Sequence, residues 1–585
     1  MRSAAFYGRY GGHTTAKKLA ITIAGAVSLG SYESGVAFEV LDALAQHNHW
    51  ADENNSPDER IEIDVLTGAS AGGMTVAMIA QRLLFDGPAM NQPYNNPLYD
   101  AWIKGVDIVG LLARQPDEPV THSVLSSDLV CEISETYLMA RYPKLSQPAS
   151  PPAPQPHPAL PSDGRLQLGL ALSNLTGVDY SRLTKSGGQF TYTSHEDQLV
   201  LEIRQLADDR GEIWETIRAA AVACGAFPFA FRVQDLARNI VDFTSQELVR
   251  SLWNGAPSRF FTYTDGGVFQ NEPLGMAKNL VEMLPGGHLN ADKRGYLFIA
   301  PHPKSSEDVP YTTDPNADPA KSFGAANANY KGLVQRLAES VIGQSEFQDW
   351  VVAEQVNDKL RLLDKRADQL EAIFLSGALT AAEATPVSTA VLGAFFQVGN
   401  AMTPASIANL NAARAQLKLQ YSLEYARFGP DIVTADAWLD AVLVLELAAG
   451  LHEKEEMLIY DFVADPAQLA SNGLEAFEGF FDVSYRKHDY DYGRSMGQKQ
   501  LATYQGQPGS VFANLHWTPK PIDPIDPNLN NLDISKVDKG KRQQVYTQIS
   551  NAADDLLQEF NVNLIVRKAL MFFFIQGQIK KMLAL

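Results

Sequence analysis

Cysteine is nearly absent from this chain, which holds two, Cys131 and Cys224, in 585 residues. That excludes a disulfide framework, and the pair has no metal-ligand spacing, so a reducing, cytoplasmic setting is expected. Excess positive charge is lacking too. Lys and Arg number 48 against 68 Asp and Glu, a net charge of -20 that repels phosphate backbones and excludes nucleic acid as the main partner. Docking to anionic lipid then requires a local basic patch. Long apolar runs are missing as well: none reaches the roughly 18–20 residues that span a bilayer, so no transmembrane helix is expected.

What the chain does have is apolar mass. Hydrophobic residues make up 45% of it, enough for a large core, and the length points to two or three domains. Near the start, Lys17 and Lys18 precede an apolar run from Leu19 to Leu29 that has the length of a secretory signal's apolar region. The alternation Leu19, Ile21, Ile23, followed by a glycine-containing turn, reads instead as a buried first strand and its loop.

From Leu19 to about Pro303, short and often β-branched runs are followed by helical patterns, which predicts an α/β fold with a mostly parallel central sheet flanked by helices. The expected strands are 20–24, 61–66, 166–172, 260–264 and 295–299, and the expected helices among them 32–46, 73–84 and 214–223. Repeated proline between Tyr142 and Gly164 favours extended, exposed backbone and reads as the rim of an insertion over about 86–164. Beyond residue 320 strand signals fade. Helical patterns at 331–342, 358–374, 404–421, 435–451 and 551–585 predict a largely α-helical C-terminal domain over 320–585, with Thr403 and Thr434 as helix starts. The α/β part is expected over 18–310.

The chemistry-bearing residues cluster at turns. Gly68-Ala69-Ser70-Ala71-Gly72 is a Gly-x-Ser-x-Gly at a strand-to-helix junction, where the serine hydroxyl emerges at a helix N-terminus and bulky neighbours would collide. A serine needs a base. His288 and His302 are the histidine options in an α/β-hydrolase order. Asp265 is the other, placed where a strand ends in Gly266-Gly267, a pair that permits a tight turn over the sheet edge from which the serine turn also emerges. The loop Gly25-Ala26-Val27-Ser28-Leu29-Gly30 between first strand and first helix can aim backbone N–H groups at developing negative charge. Val27 stands where a dinucleotide loop requires glycine, so nucleotide binding is not expected. The Asp523-Pro-Ile-Asp526 loop lacks calcium-site spacing.

Taken in order, the loop at 25–30, the Gly-x-Ser-x-Gly and the Asp-Gly-Gly resemble the patatin-like phospholipase family. The likeness extends to the small-residue helix and proline turn of residues 219–228 and to Asn271 and Pro273, and spans about 18–305. It implies a Ser-Asp dyad: Ser70 as nucleophile, Asp265 as general base, and an oxyanion held by backbone of Gly25, Ala26, Val27, Ser28 and Gly30 with Ala71. Gly68, Gly72, Gly266 and Gly267 are the motif glycines. It also implies phospholipid or lysophospholipid acyl esters as substrates, peripheral membrane contact, and neither metal nor cofactor. An acyltransferase on the same dyad and a catalytically inactive lipid-binding or scaffold homologue are the alternatives.

The loop departs from the family's Gly-Gly-Gly-x-Arg-Gly, because Ala26 and Val27 replace two glycines and Leu29 the arginine. Non-glycine residues tolerate positive φ poorly, which puts the loop's turn in question. Leu29→Arg is expected to be tolerated or mildly deleterious. The run from Phe480 to Arg494 is similar to a C-terminal segment of a bacterial subgroup of the family and reads as an Arg/Asp/His network holding a helix or loop. The apolar, locally basic stretch 564–583 reads as a buried helix rather than an interfacial one.

Overall fold

The structure is a computed structural model that describes residues 16–113, 122–142, 152–183, 188–243, 248–249, 253–284, 293–301, 348–397, 401–451, 457–472, 476–532, 534–559 and scattered residues thereafter. The chain divides into two compact units. One comprises Met1–Gly287, Asp292–Asp349 and Ile459–Leu585, the other His288–Ala291 and Trp350–Leu458.

The first unit is built on one sheet. An inner strand is β1 (Lys17–Ile23), the run beginning at Leu19, buried on both faces as a strand covered on both sides by helices must be. β2 (Ile61–Gly68) and β7 (Arg294–Ala300) flank it in parallel. β3 (Arg165–Leu183) adds in parallel to β2, and β8 (Ile459–Val463) in parallel to β7. β4 (Gln189–Arg204), β5 (Gln234–Asn239) and β6 (Ser258–Thr264) are antiparallel additions on the β3 side. The mostly parallel sheet with flanking helices is therefore present, and all five expected strands lie in it. β4, β5 and β8 are additional. β4 is exposed along most of its length and carries His195-Glu196-Asp197-Gln198 at its middle, so it shows little of the hydrophobic alternation that marks a strand.

β3 fixes the site. Leu168 to Leu170 pair with β2 and also with β4, and Ser173 pairs with β4 and also with β6. β4 thus runs along one edge of β3, while β2 and β6 share the other edge end to end. β6 runs antiparallel, so its last residue comes down to meet the last residue of β2.

Two helices follow the first two strands: α1 (Gly30–Glu53) and α2 (Ser70–Phe85). α3 (Gly211–Cys224) covers the expected helix at 214–223, and α4 (Leu274–Met283) is additional.

The second unit holds α5 (Gln348–Leu375), α6 (Ala381–Phe396), α7 (Pro404–Gln420) and α8 (Ile432–Ala449). Trp438 sits wholly buried at its centre among Leu392, Leu417 and Phe428, and its indole N–H donates to the Ala367 carbonyl at 3.1 Å. Thr403 caps α7 as expected, accepting from Ser406 N–H. At α8 the cap is Asp431 instead of Thr434, because the carboxylate accepts from Thr434 N–H and the helix opens at Ile432. The 331–342 pattern lies outside the described residues, as do the insertion's prolines between 143 and 151 and most of 564–583.

The division differs from the 18–310 and 320–585 domains read from the sequence. β8 completes the sheet, and α9 (Val483–Gln505) is locked on α1. A Cβ on Gly35 would lie 2.1 Å from the Tyr490 carbonyl oxygen, and one on Gly493 2.2 Å from that of Tyr32. Glycine at both positions lets the backbones touch. Beside the crossing, Arg494 donates to Glu39 at 2.7 Å with both side chains fully buried, and burial still pushes Glu39 up to about 6. α10 (Lys539–Glu559) follows α9.

Removing one member of a buried pair leaves an uncompensated charge. Arg494→Met should cost about 3–5 kcal/mol, and the double variant with Glu39→Met should recover most of it. Denaturant unfolding of the four members of the cycle checks this.

Candidate active site

β2 ends at Gly68, Ala69 is extended, and Ser70 opens α2 with φ +49°, a left-handed conformation that a side chain adopts only under constraint. The constraint is crowding. A Cβ on Gly68 would meet the Gly72 carbonyl oxygen at 2.5 Å, and one on Gly72 would meet those of Ile23 and Ala24 at 2.3 Å. Ser70 is thereby presented, buried, at the positive end of a 16-residue helix.

Asp265 follows the last residue of β6. Its own N–H donates to the Ala226 carbonyl at 2.9 Å, and its Oδ1 accepts from Gly267 N–H at 2.7 Å. Gly266 is pressed on β3, where a Cβ would lie 2.1 Å from the Ala171 carbonyl oxygen. So held, Asp265 Oδ2 accepts a hydrogen bond from Ser70 Oγ at 2.5 Å. Burial raises the Asp265 carboxyl from its ordinary value to about 7, against the pull of the Ser70 and Gly267 hydrogen bonds. His288 and His302 lie outside the described residues.

The 25–30 loop borders the pair. Gly25 N–H donates to the Asn271 carbonyl at 3.0 Å, and a Cβ on Gly25 would lie 2.1 Å from Asn271 Oδ1 and 3.1 Å from Ser70 Cβ. Residues 27–29 form a single tight turn. Val27 has φ +50°, so the turn is made with a β-branched residue in a conformation that costs roughly 1–2 kcal/mol. Ser28 Oγ donates to the Ala476 carbonyl, a tie to the C-terminal part of the first unit. Gly30 lies under Trp102, whose ring a Cβ there would meet at 2.8 Å.

Sequence reasoning did not find the cavity that opens at Ser70. Its walls are apolar, with Met74 and Met78 from α2, Trp102, Val106, Leu138, Phe227, Phe231 and Phe480. These residues come from five separated parts of the chain and share no local pattern, so only the tertiary fold shows them. Cys224, at the end of α3, is buried beside the serine turn, and a Cβ on Gly73 would meet its Sγ at 2.3 Å. Burial pushes its thiol well up, which makes it a packing residue and not a thiolate. Among the described residues no group of three or more His, Cys, Asp or Glu side chains is assembled for a metal.

Residues 21–278, which hold the serine turn, the aspartate turn and the 25–30 loop, match the family model for patatin-like phospholipases. They form a patatin-like phospholipase domain. Similar proteins include the uncharacterized protein y4iI of Sinorhizobium fredii, 23% identical over 360 residues that cover 49% of each chain. Another is the uncharacterized membrane protein Rv3479 of Mycobacterium tuberculosis, 25% identical over 403 residues, 60% of this chain and 34% of that one. The chain thus spans about half the length of the first relative and about a third of the second.

The patatin-like domain's altered loop departs from the sequence expectation at Leu29. That side chain is 0% exposed in the core, so an arginine there would bury a charge, and tolerance is not expected. Leu29→Arg should destabilise the protein by about 3–5 kcal/mol, read as insolubility or a depressed melting temperature.

Asp265 makes stability depend on pH. With a folded value near 7 and an ordinary unfolded carboxyl near 3.9, the native state holds the proton longer, so stability falls as pH rises from about 4 to 7 and is flat above. Asp265→Asn removes the penalty. Its melting temperature should exceed wild type at pH 8 and converge on it at pH 4–5.

Proposed function

We propose that this chain is a serine acyl hydrolase acting on lipid esters, phospholipids or lysophospholipids, through a Ser70-Asp265 dyad. The observation that carries the reading is the 2.5 Å hydrogen bond from Ser70 Oγ to a buried aspartate at the mouth of an apolar cavity. Asp265 Oδ2 takes the Ser70 proton as Oγ attacks the ester carbonyl. The oxyanion that forms is stabilised by Ala71 N–H at the start of α2 and by N–H groups of Ala26, Val27 or Ser28, since those of Gly25 and Gly30, also expected from the sequence, already donate to the Asn271 and Val27 carbonyls. Asp265 then gives its proton to the leaving alcohol, and an acyl-enzyme remains. Water, deprotonated by the same carboxylate, releases the fatty acid.

Each step fits the groups present. A carboxyl raised to about 7 is a stronger base than an exposed aspartate and returns the proton more readily at neutral pH. The cavity wall of Met74, Met78, Val106 and Leu138 offers an acyl chain the burial it loses on leaving a lipid assembly. Phe227 and Phe231 line this cavity, while Phe229 between them is 86% exposed, which suits peripheral contact with the lipid surface from which the chain is drawn.

Ser70→Ala should abolish ester hydrolysis and labelling by a fluorophosphonate. Asp265→Asn should lower kcat/KM by about 10³-fold or more. The wild-type rate should fall about tenfold per pH unit below 7, as Asp265 gains its proton, and this limb should vanish in Asp265→Asn. Because the dyad uses no imidazole, His288→Ala and His302→Ala should keep most activity; a thousandfold loss in His302→Ala makes the enzyme a Ser-His triad instead. Turnover of phospholipid and p-nitrophenyl ester panels, with analysis for free fatty acid against transferred acyl product, checks the set.

A further inference from the structure

The family match ends at residue 278, yet the site does not. Ser28 of the 25–30 loop donates to the Ala476 carbonyl, and a Cβ on Gly479 would lie 2.5 Å from Ser28 Oγ, so segment 476–481 rests directly on the loop. The same segment supplies Phe480 to the cavity wall, and Phe477 packs edge-on against Phe227 with ring centres 5.5 Å apart.

Arg486, on the first turn of α9, holds this segment. Its Nη1 donates to the Gly479 carbonyl at 2.7 Å, and its Nε and Nη2 donate to the Ile103 carbonyl at 3.1 and 2.9 Å. Ile103 adjoins Trp102, which lines the cavity, covers Gly30, and donates to Thr75 Oγ1 at 3.0 Å. One buried guanidinium therefore joins two walls of the cavity through carbonyl oxygens, using a planar fork that lysine lacks. Three residues on, Asp489 accepts from Ala470 and Ser471 N–H at 2.7 and 3.1 Å and fixes the start of the same loop.

We propose that Arg486 is a positioning residue for the Ser70 site: through segment 476–481 it clamps the 25–30 loop and the facing cavity wall in their working arrangement. The proposal rests on the hydrolase reading for its effect on rate. The clamp itself is a statement about the loop and can be read without turnover.

The experiment compares wild type, Arg486→Lys and Ser28→Ala by hydrogen–deuterium exchange of the peptide covering 25–31 and by kcat and KM on p-nitrophenyl acetate and decanoate. Arg486→Lys keeps the charge but cannot bridge both carbonyls. It should speed exchange at 25–31 at least tenfold, lower kcat on acetate about tenfold or more, and raise KM for decanoate. Ser28→Ala, a change too small to threaten folding, should speed exchange and lower kcat three- to tenfold with KM unchanged. Unchanged exchange at 25–31 in both variants overturns the clamp, and so does a lowered melting temperature with kcat per folded molecule unchanged. If wild type neither turns over ester nor labels at Ser70, the hydrolase reading fails, and the exchange arm still decides the clamp.

Discussion

β3 is the ruler against which the candidate site is set. Gly68, the last residue of β2, pairs with Leu170, and Thr264, the last residue of β6, pairs with Ser173 on the same edge. Three residues of strand are about 10 Å. Into that gap the two turns project Ser70 and Asp265, and the Ala171 carbonyl at its middle leaves Gly266 no room for a side chain. A one-residue slip of either strand would move its turn by about 3.3 Å and put its terminal residue on the opposite face. The 2.5 Å hydrogen bond between residues 195 apart in sequence is thus a consequence of strand register.

The serine and aspartate turns were legible because turn chemistry is local. Glycines at 68, 72, 266 and 267 are required by carbonyl oxygens and neighbours a few ångströms away, and a strand running into such glycines is visible in sequence. The direction of β6 was not. Its apolar run fits a strand pointing either way, and only pairing with β3 shows that it comes from the opposite side of the sheet. β4 was hidden for a different reason: it is mostly exposed, so neither face enforces the alternation by which strands are read. At Val27 the sequence raised a question that the fold answers, for the turn is made in spite of a β-branched residue.

Burial sets the electrostatics more than pairing does. Asp265 is raised to about 7 by burial, opposed by the hydrogen bonds from Ser70 and Gly267. Glu33, on the first turn of α1, has neither carboxylate oxygen hydrogen-bonded among the described residues, and burial raises it well above its ordinary value. Six residues on, Glu39 meets Arg494 and is held lower, near 6. One helix so carries a carboxyl raised by desolvation alone and another held lower by a cation. For a base the first regime is useful, since a carboxylate stabilised by a salt bridge would be too weak to draw a proton from serine.

Why the C-terminal segment returns to the site follows from the loop's composition. A loop rich in glycine can be held by its own tight turns and backbone contacts, whereas Ala26, Val27 and Leu29 give this one side chains that must be accommodated. Leu29 is absorbed by the core, and Ser28 finds its acceptor at Ala476. That acceptor has to be brought by something rigid. α9 supplies the rigidity because Gly35 and Gly493 allow it to lie on α1, the helix that the 25–30 loop itself begins. Loop, helix and clamp are therefore referenced to one element, and through it the 476–481 segment is held over Ser28.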